Sequence, residues 1–122
     1  CNYIGLYDTE IASLWKGFIC HSHYDGVQNW KFKNSDRISA LIRLKRLGLR
    51  PQFISRERSI METKKYLAEA LPHGNFQFLD LPFSEHSDRW VLQDIPARKV
   101  IRDWFTQVQS IEKAPFNSDS KR

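Results

Sequence analysis

The sequence has little cysteine, no long apolar run and none of the glycine clusters that mark cofactor or phosphate loops. Cys1 and Cys20 are the only thiols in 122 residues, one bridge at most, so a disulfide framework is excluded. Cys20 stands in an apolar stretch where a buried, reduced thiol is the ordinary state, which points to a cytoplasmic setting. No apolar run approaches the roughly 20 residues needed to cross a bilayer, so no membrane span is expected. The first residues, Cys1 to Gly5, lack the charged and apolar regions of a signal peptide. No Met opens the chain, which reads as a processed product or a piece of a longer one. The five glycines, at 5, 17, 26, 48 and 74, are too scattered for a phosphate cradle or a dinucleotide fingerprint. A serine nucleophile elbow of the Gly-x-Ser-x-Gly type is also missing.

Aromatic residues are plentiful, and 41% of the chain is hydrophobic, enough to close a core without metal or disulfide staples. The net charge of +5 is unevenly placed. Residues 31–65 hold 11 Lys and Arg against three acids, a local charge of +8, while the remainder is −3. Such polarity predicts a basic face able to attract phosphate or an acidic partner.

Hydrophobic spacing predicts the elements. Tyr3 to Tyr7 reads as a strand, and Asp8 or Thr9 as the cap of a helix carrying Ile11, Leu14 and Trp15. A strand through residues 17–21 competes with the end of that helix. Residues 27–33 alternate as a second strand, with Trp30 and Phe32 turned to the core and Lys31 and Lys33 to solvent. Asn34 or Ser35 opens a helix that stops at Gly48, and a short strand follows from Arg50 to Ser55. Ser59 and Glu62 form a capping box for the next helix. Residues 76–81 alternate as a strand, and 90–92 read as a short one. Asp94 and Pro96 begin a last helix striped by Val100, Ile101, Trp104, Phe105, Val108 and Ile111. This order predicts an α/β single-domain sandwich over residues 1–113, with a small mixed sheet covered by about three helices. Residues 114–122 read as a frayed polar tail.

Two regions carry chemistry. On an extended chain His21, His23 and Asp25 project to one side, a ligand set suited to a divalent metal such as Zn²⁺. The string is similar to the His-x-His-x-Asp-His motif of metallo-β-lactamase-type hydrolases, with Gly26 in place of the final His. It is also similar to the His-x-His of amidohydrolases, whose barrel needs a chain more than twice as long. Should His86 join from its loop, a three-His site results, with Asp25 or Glu85 as base. The second region is the basic window, where Lys31, Lys33, Arg37, Arg43, Arg46, Arg50, Arg56 and Arg58 could neutralise phosphates. Arg43 and Arg46 share a helix face. The leading expectation is a non-enzymatic binding or regulatory domain for nucleic acid or an acidic protein. The alternative is a small metal-dependent hydrolase built on His21, His23, Asp25 and His86.

Overall fold

A computed structural model describes residues 1–84 and 86–113. They form two compact units, Cys1–Asp88 and the part from Arg89 onward. The fold is α/β, with a three-stranded sheet in the order β1-β2-β3. The first unit runs α1 (Asn2–Gly5), α2 (Thr9–Ser13), β1 (Phe18–His21), α3 (Arg37–Lys45), β2 (Gln52–Glu57), α4 (Met61–Ala70) and β3 (Phe76–Leu81). The second runs from a 3-10 turn at Arg89–Leu92 into α5 (Pro96–Lys113). Among the described residues no helix is long and apolar enough to cross a membrane.

All the pairings are parallel, with Phe18 opposite Gln52 and Gln52 opposite Phe76. The expected mixed sheet is therefore a parallel one, because two predicted strands are not strands. Tyr3 to Tyr7 belongs to helix α1 and the turn after it. Its buried positions are Asn2, Gly5 and Leu6, a spacing of three and four, while Ile4 and Tyr7 face outward. Residues 27–33 form an irregular loop in which Trp30 and Phe32 are exposed. Their rings find local partners instead of the core, Phe32 edge-on to Tyr3 and Trp30 edge-on to His23, each at 5.1 Å.

The remaining elements follow the sequence pattern. Asp8 caps α2 by accepting from the Ile11 amide, and Asp36, one residue after the expected position, caps α3 through the Ser39 amide. Gly48 ends the α3 segment at φ +60°, a left-handed conformation that favours glycine. The expected capping box at α4 does not form. Ile60 is the N-cap, and its amide donates to Asp80 on β3, while Ser59 Oγ accepts from the Met61 amide at 3.3 Å. Residues 90–92 belong to the 3-10 turn rather than a strand.

The core lies on one face of the sheet, where Phe18, Cys20 and Ile54 meet Leu44 and Leu47 of the α3 segment and Tyr66 and Leu67 of α4. Ile19 with Phe53, and His21 with Ser55, are neighbours across β1 and β2 on the other face. In the second unit Trp90, Ala97, Ile101 and Trp104 are buried, whereas Phe105 and Ile111 of the expected stripe are exposed. The expected tail, residues 114–122, lies outside the described residues.

Candidate active site

Parallel pairing brings the carboxyl ends of the three strands to one edge, the usual location of sites in open α/β sheets. Strand β1 ends at His21, and the next residue, Ser22, takes φ +70°, a left-handed conformation uncommon for a side chain other than Gly or Asn. The Ser22 amide remains tied to the Ser55 carbonyl at 2.8 Å. The sharp turn therefore comes after a fixed strand end and turns the Ser22 hydroxyl toward Glu57, two residues beyond Ser55 on β2. Ser22 Oγ donates to Glu57 Oε1 at 2.9 Å.

The loop after β3 supplies the third group. His86 Nδ1 lies 2.8 Å from Ser22 Oγ and 2.5 Å from Glu57 Oε1. Serine, histidine and carboxylate thus close a triangle of polar atoms. Glu57 is buried and His86 is more than half exposed, so the carboxylate is fixed and the imidazole has room to move. The His86 ring packs on His23 at 4.8 Å, and His23 in turn meets the edge of Trp30. His21 sits behind the triangle. Its Nδ1 is hydrogen-bonded to Ser55 Oγ at 3.0 Å, and its Nε2 lies 3.9 Å from Glu57 Oε2. Burial pushes the Glu57 carboxyl up. Hydrogen bonds from its own backbone N–H and from Ser22, with the His86 and His21 imidazoles close by, outweigh that and hold it below the usual carboxylate range.

A cavity of about 570 Å³ opens beside these groups, bordered by His23, Glu57, His86, Arg56 and Arg58. The expected metal set is only partly assembled. His23 and His86 do come together, and Glu57 stands between His86 and His21. Asp25, however, accepts two hydrogen bonds from Arg43, at 2.7 and 2.9 Å. The reason is the turn at Ser22, which ends the extended run that would have put Asp25 beside the two histidines. Among the described residues no group of three or more His, Cys, Asp or Glu side chains is arranged to hold a metal ion. Glu85, the other expected base, lies outside the described residues.

The basic window is dispersed into several uses. Arg43 and Arg46 border one depression beside Tyr3 and Tyr7, as their spacing predicts. Arg46 donates to the Leu6 and Tyr7 carbonyls, and Arg50 to those of Ala12, Trp15, Arg46 and Leu47. Arg37 donates to the Gly26 carbonyl and lies over the Tyr66 ring. These guanidinium groups tie α3 and its C-terminal turn to other segments of the same chain. Lys31 and Lys33 are exposed on the loop, and Arg56 and Arg58 are at the cavity.

Ser22 and Glu57 were not among the residues that sequence reasoning selected. The signal for Ser22 was a small hydroxyl residue ending the apolar run of β1 between two histidines. For Glu57 it was a carboxylate at the end of the next strand. The chain matches no protein-family model, and no curated protein and no solved structure is significantly similar to it.

Proposed function

We propose that this chain is a serine-dependent acyl-transfer enzyme that hydrolyses esters or thioesters. Ser22 is the nucleophile, His86 the general base and Glu57 the carboxylate that stabilises the protonated imidazole. The observation that carries this reading is the Ser22–His86–Glu57 triangle at the carboxyl edge of a parallel sheet, with the serine on a strand-to-loop turn in left-handed backbone. A strained serine at a strand end is the local geometry of a nucleophile elbow, which this chain would achieve without the flanking glycines.

The chemistry follows from the contacts. For attack the Ser22 hydroxyl turns its proton from Glu57 Oε1 to a neutral His86 Nδ1. As Oγ bonds to the substrate carbonyl carbon and the C=O π electrons move onto oxygen, that proton passes to Nδ1. The new imidazolium N–H then faces Glu57 Oε1, so the developing positive charge meets a carboxylate already held ionised. In the familiar linear triad the acid touches the other ring nitrogen; here serine and acid meet on one. His86 returns the proton to the departing alkoxide or thiolate as the tetrahedral intermediate collapses. Water repeats the sequence on the acyl-serine, releasing the carboxylic acid and restoring Ser22.

Two observations favour this reading over the others. Arg37, Arg43, Arg46 and Arg50 hold carbonyl or carboxylate groups of the chain itself, which leaves fewer cations for a nucleic acid or an acidic protein. The metal-dependent hydrolase built on His21, His23 and Asp25 is less favoured, because Asp25 is committed to Arg43. A fluorophosphonate probe tests the proposal, because it phosphonylates only an activated serine. Mass spectrometry is expected to find the adduct on Ser22, absent from Ser22→Ala and strongly reduced in His86→Ala. Hydrolysis of 4-nitrophenyl acetate is expected to fall by roughly a thousandfold in either variant. An unlabelled wild-type protein, or an adduct elsewhere with Ser22→Ala fully active, overturns it.

A further inference from the structure

Resting on the acyl-transfer reading, we propose that the substrate is a short ester or thioester carrying an anionic group, carboxylate or phosphate, received by Arg58 with Arg56. The cavity beside the triangle has the size of a small-molecule site. Its lining is unsuited to a hydrocarbon chain. Met61 is the single apolar side chain among the described residues that border it. A fatty acyl group would gain almost no buried apolar contact there, and a small polar substrate loses nothing by the lack.

Charge decides which polar substrate fits. Glu57 is matched by His86 within the triangle. Glu62 is matched by Arg56 at 3.8 Å, a separation beyond a hydrogen bond and with Glu62 mostly exposed. A solvated pair of that kind is worth little, so Arg56 can turn to a ligand at small cost. Arg58 differs from every other arginine of the basic window. It is exposed at the cavity, and among the described residues no acceptor or carboxylate holds its guanidinium. Its backbone takes φ +66° just past the end of β2, and its amide donates to the Leu81 carbonyl at 3.1 Å. The side chain therefore starts from a fixed strand end one residue after Glu57. A guanidinium so placed presents a planar fork that matches carboxylate or phosphate oxygens in pairs.

Matched substrates test the inference and separate the two sources of the anion. One arm compares 4-nitrophenyl hemisuccinate, with a carboxylate on the acyl side, against neutral 4-nitrophenyl acetate. Another compares an S-acetyl thioester of a phosphorylated thiol with its dephosphorylated form. A third arm is 4-nitrophenyl octanoate. The anion-bearing member of one pair is expected to show kcat/KM about tenfold above its neutral partner at low salt, mainly through KM. That preference is expected to vanish in Arg58→Ala and to reverse in Arg58→Glu. Whichever pair responds identifies where the anion sits. Ser22-dependent hydrolysis of the acetate with no preference in either pair, or a preference for octanoate, overturns the anionic substrate and leaves the triangle standing. No Ser22-dependent hydrolysis of any ester, with no fluorophosphonate adduct, overturns both.

Discussion

Glu57 carries its charge where burial opposes it, and the surrounding donors settle the outcome in favour of the carboxylate. Its folded pKa lies below the ordinary value of 4.5. A depressed carboxyl contributes stability that is fully present above the unfolded pKa and is lost as pH falls through the folded one. Acid therefore weakens this protein partly by protonating Glu57 and loosening Ser22 and His86 from it. In Glu57→Gln this contribution is absent, so the urea midpoint is expected to change less between pH 6 and pH 3 than in the parent. Urea titrations of both proteins across that range provide the check; parallel curves would mean that Glu57 is not a source of the acid sensitivity. The same substitution removes the charge that faces the imidazolium, so ester hydrolysis at neutral pH is expected to fall along with it.

At the scale of elements, α3 is held to the loop before it by one buried ion pair. Arg43 and Asp25 are both largely shielded from water, and the guanidinium also lies over the Tyr3 ring at 4.6 Å. Removing only the cation leaves a shielded carboxylate without its partner, so Arg43→Met is expected to cost about 3 kcal/mol in denaturant unfolding. Arg43→Met combined with Asp25→Leu is expected to recover much of that loss; no recovery would place the cost in packing rather than charge. Strand β3 and helices α3, α4 and α5 were legible because their apolar spacing continues for six residues or more and ends in recognisable breakers. Strand β2 was legible in its apolar part, but with no breaker after it its end was read at Ser55, two residues short of Glu57. Helix α1 was not, because four residues fit alternation and helix equally, and the choice rests on Asn2 reaching Gln52 across 50 positions. The loop at 27–33 alternates like a strand, but alternation cannot report that no neighbouring strand is there to pair with it. The candidate site was half legible: the histidines were visible, while the positive φ at Ser22 that separates them from Asp25 has no local glycine to announce it.

For the whole molecule, the parallel sheet buries Cys20 beneath the helices and brings three strand ends together. Burial pushes the Cys20 thiol up to about 12, the N-terminal amine offsetting only part of this, so the thiolate needed for reaction scarcely forms in the folded state. Cys1 is exposed. A thiol reagent such as Ellman's is therefore expected to titrate one cysteine rapidly and the second only as fast as the protein opens, with both reacting at once in denaturant. Two rapid equivalents under native conditions would show that the core beneath β1 opens locally. The contacts of Ser22 with Glu57 and His86 also span 35 and 64 positions of the chain. During synthesis the serine therefore emerges long before either partner. If it is the nucleophile, it stays chemically silent until residue 86 has cleared the ribosome and β3 has docked. Reactivity then arises only once the first unit has folded, and a nascent chain shorter than that cannot acylate itself.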